Sequence, residues 1–130
     1  MRGYIAISSV VLFAACYHGP GISTFGPARR PDGIDANLRL EQTRVRGELL
    51  EVQDSALIVR TDSGKIVSVP LSGIRAGTFD KLGQMIGEGM KSEPALERLR
   101  PFSRFPTGLT PELWARLLAA YGQTEVQVVR

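Results

Sequence analysis

The chain has 130 residues, 16 basic against 13 acidic side chains for a formal net charge of +3, one cysteine and one histidine. The lone cysteine excludes an internal disulfide and a metal site built on thiolates, and the lone histidine leaves too few ligands for a histidine-based zinc site. Thirteen of the basic residues are arginine and three are lysine; this bias reads as GC-rich codon usage, and a basic pI alone does not mark a nucleic-acid partner.

Arg2 supplies one positive charge, and residues 4–15 are apolar apart from Ser8 and Ser9. The run ends at Cys16, just before His18-Gly19-Pro20. An export signal has this build, a basic start followed by about 7–15 apolar residues. Crossing a bilayer takes about 20, so the run is too short to span by itself. Ordinary signal cleavage prefers small residues at the third and last positions before the cut. A cut after Ala15 would put bulky Phe13 at the third position. Phe13-Ala14-Ala15-Cys16 instead resembles the lipobox of bacterial lipoproteins, with Phe13 where leucine is usual. That resemblance implies a signal peptide over 1–15, lipid on Cys16 and attachment to a membrane of the cell envelope. Tyr17, in place of aspartate, implies the periplasmic face of the outer membrane in a Gram-negative cell.

Residues 17–37 are rich in glycine and proline and show no period. A segment of this kind buries too little apolar surface to offset the entropy of ordering it. It is expected to be a flexible tether over 16–37, leaving 38–130 as a single small domain and not two. His18 falls in the tether, which excludes a fixed Ser-His-Asp arrangement.

The first half of the domain reads as β. Residues 43–52 are strand-like, with a bulge or bend expected at Gly47. Gln53-Asp54-Ser55 turns the chain, residues 56–61 form a second strand, and Asp62-Ser63-Gly64 supplies the positive-φ position of a hairpin. Residues 65–71 make a third strand with Val67, Val69 and Leu71 on one face, and residues 76–79 a short fourth. From Gly47 to Val59, and on through Val69-Pro70-Leu71-Ser72-Gly73-Ile74, the pattern resembles the meander of small SH3-like or Sm-like barrels. Sm-like proteins bind RNA, but the loop residues on which they stack bases have no clear counterpart here.

The second half reads as helical. Asp80 is placed as the cap of a glycine-loosened helix carrying Leu82, Met85, Ile86 and Met90 on one side. A short helix follows over 93–99, with Pro94 near its start and Pro101 after it. Thr110-Pro111-Glu112 combines a hydroxyl cap, a first-position proline and a first-turn acid. Leu113, Trp114, Leu117, Leu118 and Tyr121 then make one apolar face, Gly122 stops the helix, and residues 124–129 alternate as a returning strand. The expected fold is α+β, a small SH3-like antiparallel meander followed by a helical C-terminal half.

Three candidate sites of chemistry stand out. Gly87-Glu88-Gly89-Met90-Lys91 lacks the adjacent Gly-Lys of a phosphate-binding loop. The carboxylates Glu48, Glu51, Asp54, Asp62 and Asp80 fall on strand exteriors and turns, where acids are ordinarily solvated. The least usual stretch is 98–105, where Arg98, Arg100 and Arg104 interleave with Phe102 and Phe105. Guanidinium groups fork onto phosphate oxygens while rings stack, so these five are the candidate binding residues for an anionic envelope component. The plainer reading is a connector whose rings plug the core while its arginines face water. The expected function is that of a lipid-anchored, non-catalytic envelope protein with a small binding or scaffolding domain. It needs no cofactor, and its partners are the membrane through Cys16 and an anionic envelope component or envelope protein. A small envelope hydrolase using Glu51 or Asp54 is one alternative. A nucleic-acid-binding barrel is another, should residues 1–16 not be a signal.

Overall fold

The structure, a computed structural model, describes residues 33–87 and 93–130. The signal, the lipobox with Cys16 and most of the tether lie outside the described residues, as do Met90 and Lys91. Polar and apolar residues alternate from Asp35 to Leu40, and this period of two makes the first strand, β1 (Asp35–Arg39), with Ala36, Leu38 and Leu40 buried. Residues 35–37, assigned above to the tether, are therefore strand.

The remaining meander follows the sequence closely. β2 (Arg44–Val52), β3 (Ala56–Thr61), β4 (Ile66–Pro70) and β5 (Ala76–Phe79) sit where alternation and turn residues put them, with Gly64 at φ 88 in the β3–β4 hairpin. The helix expected from Asp80 does not form over the described residues. Leu82 N–H donates to the Phe79 carbonyl at 3.0 Å, and Lys81 and Gly83 stand at φ 69 and 73. Two left-handed residues in three positions turn the chain back on itself, and β6 (Gly83–Ile86) pairs antiparallel with β5. Two helices follow, α1 (Glu93–Leu99) and α2 (Pro111–Ala120), and a short β7 (Gln127–Val128) closes the chain. The expected cap of α2 is present: Leu113 N–H donates to Thr110 Oγ1 at 3.2 Å.

All seven strands lie in one sheet, ordered β6-β5-β1-β2-β3-β4-β7, antiparallel throughout except for β7 against β4. The fold is mixed α+β, with strands preceding helices. One face of the sheet lines the main core, where Leu38, Val45, Leu49, Leu57, Val59, Val67, Val69 and Phe79 meet Leu96 and Leu99 of α1. The opposite face of β2, β3 and β4 is buried too. Leu50, Ile58 and Ile66 form a second cluster with Phe105, Leu117 and Leu118, against which Trp114 of α2 and Tyr121 just after it are packed. Burial on both faces explains why residues 56–59 read as an unbroken apolar run.

The irregularity in β2 lies at Leu50 and not at the expected Gly47: Leu49 pairs with Val59 and Glu51 with Ile58, so Leu50 is the extra residue. Gly47 answers a different need. A Cβ there would stand 2.0 Å from the Arg60 carbonyl oxygen, so its bare Cα lets β2 approach β3 closely.

Candidate functional site

In an unbroken strand, residues three apart point to opposite faces. The extra residue at Leu50 cancels one alternation, so Glu48 and Glu51 share the outer face of the sheet with Ile58 and Arg60. The connector between α1 and α2 lies over this spot. Its backbone follows the bulge: Arg104 N–H donates to the Leu49 carbonyl at 3.0 Å and Phe105 N–H to that of Leu50 at 2.8 Å. Both acids are thereby removed from water, which corrects the expectation that they are solvated. The strand pattern reports only which face an acid is on, while the covering segment comes from more than fifty residues away.

Glu48 is 3% exposed and Arg104 2%. Glu48 Oε2 accepts from Arg104 Nε at 2.8 Å and from the Gly33 N–H at 2.6 Å. Its Oε1 accepts from Arg60 Nε and Nη2, both at 3.3 Å. One carboxylate thus holds two guanidinium groups, that of the buried Arg104 and that of Arg60, whose side chain is 31% exposed. Glu51 is equally committed, accepting from Gln53 Nε2 at 2.9 Å and from Leu109 N–H at 2.8 Å. Buried charges persist when paired and hydrogen-bonded in this way, and the two glutamates tie the connector to the sheet.

The structure divides the candidate stretch 98–105. Arg104 and Phe105 are interior, Arg104 on Glu48 and Phe105 in the second cluster. Phe102 is half-buried against the main core. Arg100 donates from Nε to the Val52 carbonyl at 3.1 Å and forms ion pairs with Asp54 and Glu97. Arg98 alone among the five is well exposed. The five side chains are therefore not brought together as one exposed surface, because the connector packs inward to complete two clusters. Of the remaining acids, Asp54 is exposed beside Arg100, while Asp62 and Asp80 line an open groove of about 400 Å³ with Asp35, Asn37, Arg46 and Lys81. Among the described residues no group of three histidine, cysteine, aspartate or glutamate side chains is placed to hold a metal ion.

One cluster was missed by sequence reasoning. Asp35, Asn37 and Arg39 of β1 and Arg44 and Arg46 of β2 point away from the main core, on the half of the sheet that neither described helix covers. The signal was present in the alternation of residues 35–40, obscured by the glycine and proline just before it. Comparison with protein-family models, curated proteins and solved structures found no match for this chain.

Proposed function

We propose that the chain is a lipid-anchored, non-catalytic protein of the bacterial cell envelope, whose small domain of SH3-like architecture binds or scaffolds another envelope component. The observation that carries this reading is the N-terminal pattern: Arg2, an apolar run over 4–15, and Phe13-Ala14-Ala15-Cys16 at its end. The SH3-like reading is supported by the strand order β5-β1-β2-β3-β4, in which the nine-residue β2 serves two pairings through one bulged strand. A binding role is supported by where the polar chemistry goes: the two buried glutamates act as structural acceptors, and Arg39, Arg44 and Arg46 stand exposed on one face of the sheet.

Metabolic labelling with a fatty-acid analogue, comparing the natural chain with Cys16→Ser, tests the anchor, with membrane fractionation alongside. Label and membrane association in the parent, both lost with serine, are expected. A chain that takes no label and stays soluble inside the cell would sink the reading.

A further inference from the structure

We propose that the uncovered face of β1 and the first half of β2 docks the domain on an anionic phospholipid surface. Arg39, Arg44 and Arg46 are all exposed there. Arg39 stands directly opposite Arg44 in the strand register, and Arg46 opposite Asn37. Like charges facing each other across a strand pair are destabilising, and no acid of either strand opposes these two. Among the described residues, the hydrogen bond of the Arg44 guanidinium goes to a neutral group, Asn37 Oδ1, at 3.2 Å. Arg75 joins the same end, its N–H donating to the Arg39 carbonyl at 2.7 Å, and it is balanced there by Glu41 at 3.1 Å. The acids of this half-sheet, Asp35, Asp62 and Asp80, line the groove near the start of β1, where Arg46 and Lys81 meet them, while Arg39 and Arg44 stand beyond it. The face is thus polarised, basic toward the β1–β2 hairpin and acidic where the chain enters the domain.

Guanidinium groups fork onto phosphate oxygens and suit a surface of lipid phosphates. Choosing a bilayer over another polyanion rests on the lipid-anchor reading above. The geometry permits it. From Cys16 to Gly33 the chain spans up to roughly 55 Å when extended, whereas the five residues of β1 measure about 17 Å. The basic end can therefore touch the membrane that holds the lipid, even though the tether joins the domain at the acidic end.

The test uses the full chain carrying Cys16→Ser, so that no lipid contributes, and cosedimentation with vesicles of phosphatidylcholine alone or mixed with phosphatidylglycerol. The readout is the ratio of partition onto anionic over neutral vesicles, in which any contribution of residues 4–15 to both lipids cancels. Each basic residue at an anionic surface strengthens binding about fivefold, so Arg39→Gln, Arg44→Gln and Arg46→Gln together should lower the ratio on the order of a hundredfold. Lysine at the same three positions should restore most of it, and added salt should reduce it in the parent. A folded triple glutamine variant that keeps the parental ratio overturns the proposal. So does a loss confined to binding of a single-stranded oligonucleotide, which would assign the face to nucleic acid. Labelling at Cys16 is scored separately. Anionic binding without label would remove the anchor and leave the docking face, while label without anionic binding would do the reverse.

Discussion

Replacing Glu48 by alanine should be the most damaging single change in the buried polar network. The substitution removes one carboxylate that accepts from Arg104 Nε, the Gly33 N–H and the Arg60 guanidinium, and it takes from Arg104, 2% exposed, the carboxylate that its Nε meets. Breaking a buried pair from one side costs about 3–5 kcal/mol. Small domains hold about 5–15 kcal/mol in total, so the loss is a large fraction of the whole. At about 4–8 °C per kcal/mol for a domain of this size, the midpoint should fall by at least roughly 12 °C. Arg104→Met should cost less, because Glu48 keeps Arg60 and the Gly33 N–H. The double variant Glu48→Leu, Arg104→Met should recover most of what Glu48→Ala loses, since well-packed apolar pairs often replace buried ion pairs without loss. Urea unfolding followed by the fluorescence of Trp114, the only tryptophan, measures all three. If Glu48→Ala stays within about 1 kcal/mol of the parent, or the double variant is no better than Glu48→Ala, the reasoning from desolvation is refuted.

Gly47→Ala should destabilise by about 1–3 kcal/mol or more, because its Cβ would meet the Arg60 carbonyl at 2.0 Å, whereas Gly73→Ala has nothing within 4 Å to meet and should stay within about 0.5 kcal/mol of the parent. Paired urea melts separate them, and equal costs would count against the close-approach account. Gln123→Ala removes two bonds by which one side-chain amide holds the edge of β4, to the Ile66 N–H at 2.7 Å and the Ile66 carbonyl at 3.0 Å. The expected cost is about 1–2 kcal/mol, with faster hydrogen exchange at the Ile66 amide; unchanged exchange there would contradict it. Lys81→Gly should stabilise by about 1 kcal/mol, since Lys81 is the only non-glycine residue at positive φ among those described. A thermal midpoint that falls instead would show that the lysine side chain contributes more than its backbone strain costs.

Much of the fold was legible because it is written in local terms. Alternation placed β2 to β5, Gly64 marked a hairpin, and Thr110-Pro111 marked the start of α2. The misses have local causes as well. Gly33 and Pro31 drew the tether boundary across β1, although residues 35–40 alternate without interruption. Leu82, Met85 and Ile86 fit a helical stripe, and the left-handed backbone at Lys81, an uncommon choice for a lysine, and at Gly83 converts the segment to a hairpin.

The charged residues show where sequence reasoning ends. From its pattern alone the chain determined a β-rich half followed by helices, and the apolar face of α2. Periods, caps and turns depend on neighbours a few residues away, and those are visible in one dimension. Tertiary structure alone decided that Glu48 and Glu51 are interior, that Arg104 pairs with Glu48 while Arg39, Arg44 and Arg46 remain in water, and that the described helices cover the outer face of the sheet on one half. An arginine looks the same in sequence whether it meets solvent or a carboxylate. The difference lies in which distant segment packs over it, and here one extra residue at Leu50 set that arrangement.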